Sequence, residues 1–148
     1  MPLALGNQLL IGAFVVSQLV SCALSERSTK VKLEGGNPPI FVLSGSGKLS
    51  NLIVYGSKQR EVAGDRAFAL WEIKPVGGHK AAEALEDLGQ IKYGTVPQNY
   101  VQLFPENGST PPPLIEGKQY EYWFQTLNAP HARAYFEIRD GKAVELNK

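Results

Sequence analysis

From Lys30 onward the chain is cut into runs of four to eight residues, rich in β-branched and aromatic side chains, and glycine, proline or an Asx residue ends nearly every one. Runs this short cannot sustain independent helices, whereas four to eight residues is the usual length of a strand. Nine can be read: Lys30 to Leu33, Ile40 to Leu43, Leu49 to Tyr55, Phe68 to Ile73, Gln90 to Tyr93, Tyr100 to Phe104, Tyr120 to Leu127, Ala134 to Arg139 and a weaker Ala143 to Leu146. Their spacing predicts an all-β sandwich of about 7 to 9 strands over residues 30–148, built as one domain.

Breakers give the connections. Gly35 to Pro39 reads as one turn and Gly45 to Lys48 as a hairpin turn, while Asp140-Gly141 is the signature of a tight hairpin joining the last two strands. Gly45-Ser-Gly-Lys48 has neither the glycine spacing nor the following hydroxyl of a phosphate loop. One short helix is expected between Lys80 and Leu88, where Ala82, Leu85 and Leu88 share a face and Gly89 stops it. It would connect strands of the two sheets.

Leu114, Gly117 and Tyr120 stand in the spacing L-x-x-G-x-x-Y, followed by Tyr122, Phe124 and Thr126 in strict alternation. This motif resembles the tyrosine corner of fibronectin type III and immunoglobulin-like domains. The resemblance implies an immunoglobulin-like (fibronectin type III-like) sandwich in which Tyr120 opens a central strand and bonds through its hydroxyl to backbone a few residues upstream. Trp71 is the candidate aromatic body of the same core. Period-2 alternation turns Tyr120, Tyr122 and Phe124 inward and leaves Glu121, Trp123 and Gln125 on the other face. Trp123 is therefore a candidate recognition residue for peptide or sugar, against the plainer expectation of cover by a neighbouring strand. Tyr93 and Tyr100 are weighed in the same way, with core and edge packing favoured.

The N-terminal stretch differs from all this. No charged residue precedes Glu26, and Leu9 to Val16 has the length of a signal-peptide apolar region. It ends in Leu19-Val-Ser-Cys22, and Cys22 is the only cysteine of the chain. These four residues resemble the lipobox of bacterial lipoproteins. That resemblance implies a signal peptide at residues 1–21, a lipidated Cys22 opening a tether at residues 22–29, and the sandwich at residues 30–148. Ala23 after the cysteine implies the outer membrane in a Gram-negative cell. An uncleaved anchor is the alternative, as is an ordinary signal peptide on a secreted eukaryotic domain, for which Asn107-Gly-Ser109 is a glycosylation sequon.

The formal charge of +1, with both signs interspersed, gives no footprint for nucleic acid. His79 and His131 stand at no metal-ligand spacing, no carboxylate pair suggests acid-base work, and no nucleophile elbow is present. The expectation is a membrane-anchored envelope lipoprotein whose sandwich is a binding or structural module, without catalytic residues, cofactor or metal. Its partners would be the membrane, through the N-terminal lipid, and an envelope protein or glycan. The second reading is an envelope enzyme with a site assembled from loops.

Overall fold

The computed structural model describes residues 27–56 and 69–147; Cys22 and the signal segment lie outside the described residues, as does Phe68 at the start of one expected strand. Among the described residues nine strands follow in chain order: β1 (Thr29–Glu34), β2 (Ile40–Gly45), β3 (Lys48–Gly56), β4 (Ala69–Pro75), β5 (Gln90–Lys92), β6 (Tyr100–Phe104), β7 (Gln119–Leu127), β8 (Ala132–Arg139) and β9 (Lys142–Glu145). They form two antiparallel sheets, one of order β1-β2-β5 and one of order β6-β4-β3-β7-β8-β9. The protein is an all-β sandwich with one short helix. In its strand order, β1-β2-β5 facing β3-β7-β8 follows the A-B-E against C-F-G arrangement of immunoglobulin-like sandwiches, with β4, β6 and β9 extending the larger sheet.

Period-2 alternation explains how each strand contributes to the core. Phe41 and Leu43 from β2 meet Leu52, Val54, Tyr122, Phe124, Phe136 and Ile138 from the facing sheet, all buried. Phe41 is the hinge of this contact: its ring stands edge-on to Tyr122, Phe124 and Phe136 at centroid distances of 5.5, 5.4 and 6.5 Å. Such pairs contribute about 0.5–1.5 kcal/mol each beyond the area they bury. Trp71, fully buried on β4, packs edge-on against Tyr93 at 5.4 Å and donates its indole N–H to the side chain of Gln102.

Two connections differ from the sequence-based expectation. Gly45 to Lys48 is a corner rather than a hairpin, because β2 and β3 belong to different sheets. Gly45 has φ +112°, and a Cβ there would collide with the Ser28 carbonyl oxygen, which accepts the Ser46 N–H. The chain makes this crossing only because a glycine stands there.

The expected helix is split into a 3₁₀ turn (His79–Ala81) and a single α-turn, α1 (Leu85–Leu88), closed by Gly89 at φ +64°. Tertiary bonds compete for the intervening backbone: the Glu83 N–H donates to the Tyr100 hydroxyl, the Glu83 carbonyl accepts the Leu49 N–H, and Ala84 bridges to Lys48. Leu85 still reaches the core, fully buried, and the segment does join the two sheets.

Candidate functional site

The corner organises one end of the sandwich. Tyr120, the second residue of β7, is buried, and its hydroxyl accepts the Ile115 N–H at 2.8 Å, five residues upstream. Gly117 takes φ +75° and donates its N–H to the Ile138 carbonyl, which holds the incoming loop against β8. Leu114 is buried below. The Glu116 carboxylate accepts the backbone N–H groups of Asp140 and Gly141, tying the same loop to the β8–β9 turn.

Beside this corner three loops border an open cleft of about 450 Å³. Asn37 and Pro38 come from the β1–β2 turn, Lys92 to Thr95 from the end of β5, and Thr110 to Leu114 from the approach to the corner. The walls are braced against one another. The Asn37 amide donates to the Leu114 carbonyl at 2.7 Å, the Tyr93 hydroxyl donates to the Pro112 carbonyl at 2.8 Å, and the Tyr93 N–H donates to the Pro39 carbonyl at 3.0 Å. Three bonds between separate loops make a preformed hollow, the usual condition of a small-molecule site.

Of the sequence-based candidates, Tyr93 is brought to this cleft, where it forms part of the lining while its hydroxyl is engaged with backbone. Tyr100 is buried elsewhere; its hydroxyl donates to the Leu49 carbonyl and accepts the Glu83 N–H. Burial raises the phenol pKa of Tyr93, Tyr100 and Tyr122 above the ordinary value.

Trp123 lies on the outer face of the large sheet, half-buried, paired across strands with Ile53 and Arg133. The Arg133 guanidinium sits 5.7 Å from its ring centroid and the His131 ring 6.1 Å. Arg133 also bonds the carboxylate of Glu121, which is only 7% exposed. That pairing lifts the arginine pKa further above its usual range. Alternation had marked Glu121 as outward-facing; it does face outward, yet neighbouring side chains cover it.

Sequence reasoning missed Asn37, Lys92, Gly94, Thr95 and Thr110 as cleft residues. Their glycine- and proline-rich neighbourhoods were legible as turns, but nothing local says that these turns converge. Among the described residues, no group of three or more His, Cys, Asp or Glu side chains is arranged to hold a metal. No protein-family model, curated protein or solved structure matches the chain.

Proposed function

We propose that the chain is a bacterial envelope lipoprotein, acylated at Cys22, whose sandwich is a non-catalytic binding module that presents the braced cleft away from the bilayer. The Leu19-Val-Ser-Cys22 sequence supports the anchor, and the polarity of the sandwich supports the orientation. The first strand begins at Thr29, whose hydroxyl lies 2.9 Å from that of Thr126 near the end of β7. The cleft and the corner sit at the opposite end, where β1 has run out into Asn37 and Pro38 and β7 begins at Gln119. A strand of six residues spans about 20 Å, so an anchor joined at Thr29 would be attached at the end of the sandwich farther from the cleft, by about that distance. Residues 23–28 between Cys22 and β1 reach about 20 Å when extended, enough to clear the lipid headgroups while keeping the domain close.

A binding role rather than a catalytic one is supported by the side chains of the cleft. Its lining holds no histidine, cysteine or carboxylate, and the hydroxyl of its one phenol is engaged with the Pro112 carbonyl. Acylation of Cys22 by more than one chain supplies a lasting hold, since one chain alone binds only marginally. The alanine that follows Cys22 favours the outer membrane by the same resemblance. Mass spectrometry of the N-terminal peptide from native cells tests the reading: a diacylglyceryl-modified, N-acylated Cys22 is expected, and a free Cys22 thiol in a longer or differently processed chain overturns it.

A further inference from the structure

The cleft presents one cation and two threonine hydroxyls, and its lining holds no anion. The Asn37 amide and the Tyr93 hydroxyl are already engaged, donating to the Leu114 and Pro112 carbonyls. The Lys92 ammonium and the hydroxyls of Thr95 and Thr110 have no side-chain partner among the described residues. Lys92 is exposed at the end of an edge strand and is the only formal charge in the lining, which holds no aspartate or glutamate. Pro38, Pro111, Pro113 and the ring of Tyr93 give the wall an apolar, stiff part. Proline rings carry no N–H and lose little entropy when a ligand packs on them. A volume of about 450 Å³ lies within the range of small-molecule sites.

From this we propose that the cleft binds the carboxylate of a small amphipathic molecule, with the apolar part against Pro38, Pro111 and Pro113 and the carboxylate on Lys92, Thr95 and Thr110. A charged acceptor suits a donor-rich, acid-free hollow, since hydrogen bonds to an ionised group are about twice as strong as neutral ones. Preformed walls spare the ligand the cost of ordering the loops. The inference rests on reading the sandwich as a binding module, and is independent of the lipid anchor.

The test uses the full-length protein in lipid nanodiscs, with empty nanodiscs as blank, titrated calorimetrically with N-acetyl-alanyl-phenylalanine, its C-terminal amide, and hexanoate. The free acid is expected to bind at least ten-fold more tightly than the amide. Lys92→Gln should bring the acid to the amide's affinity without changing the thermal midpoint, and a Thr95→Val, Thr110→Val double variant should weaken the acid alone. Hexanoate binding alongside the dipeptide supports a site that reads carboxylates from acyl sources too; binding of the dipeptide acid alone supports a peptide terminus as the source. Equal affinity for acid and amide, indifference to Lys92→Gln, or no binding of any probe overturns the proposal. None of these touches the lipoprotein reading, which falls only with the mass of the Cys22 peptide.

Discussion

The hydroxyl of the buried Tyr120 accepts the backbone N–H of Ile115, so deleting one oxygen removes that donor's partner in a part-buried bond. Tyr120→Phe should therefore cost about 0.5–1.5 kcal/mol in urea unfolding, the net contribution of a typical intramolecular hydrogen bond. An unchanged midpoint would rule out the corner as a stabilising device. The buried phenols make a second residue-scale prediction. Because folding raises the pKa of Tyr93, Tyr100 and Tyr122, chiefly by burial, their contribution is complete below the unfolded phenol pKa of about 10 and declines as pH climbs through the folded values. The urea midpoint should be insensitive to tyrosine ionisation below pH 10 and fall above it, with the absorbance of these phenolates at 295 nm appearing only on unfolding. Tyr120 was legible in sequence because its motif is local. The role of Tyr93 was not, since its partner Pro112 lies nineteen residues away on a different loop.

At the scale of elements, β7 shows how far alternation reaches. Its inward set of Tyr120, Tyr122, Phe124 and Thr126 follows from period 2, and all four are buried. The outward set cannot be read that way, because exposure depends on the strands alongside. Glu121 is covered through its partner Arg133 on β8, while Trp123 is half-buried between β3 and β8. Arg133→Ala should cost about 1–2 kcal/mol, discounted because the arginine is 44% exposed. Adding Glu121→Gln should recover part of that loss, since the neutral amide no longer needs a cation; a double variant as unstable as the sum of both single ones would contradict this. The β8–β9 hairpin was local and therefore legible: Asp140 and Gly141 both take positive φ, as a two-residue turn of this type requires. The region around Lys80 to Leu88 was only partly so, because contacts with Lys48, Leu49 and Tyr100 claim the backbone that would have continued the helix.

For the whole molecule, the proposed function depends on what holds the chain at its N-terminal end. If Cys22 is the anchor, Cys22→Ser should move the protein from the membrane fraction to the soluble or signal-retained fraction while leaving the sandwich folded, as near-ultraviolet circular dichroism would report. Membrane retention of a processed Cys22→Ser chain would show that something else holds it. The sequence by itself determined the strand content, the inward faces, the corner and the tight hairpin, because each depends on residues within a few positions of one another. Tertiary structure alone decided the partition into sheets of three and six strands, the corner at Gly45, the burial of Glu121, and the cleft in which Asn37, Lys92 and Thr110 meet. Those depend on pairings between residues far apart in the chain, and local periodicity carries no information about which distant strand or turn will lie alongside.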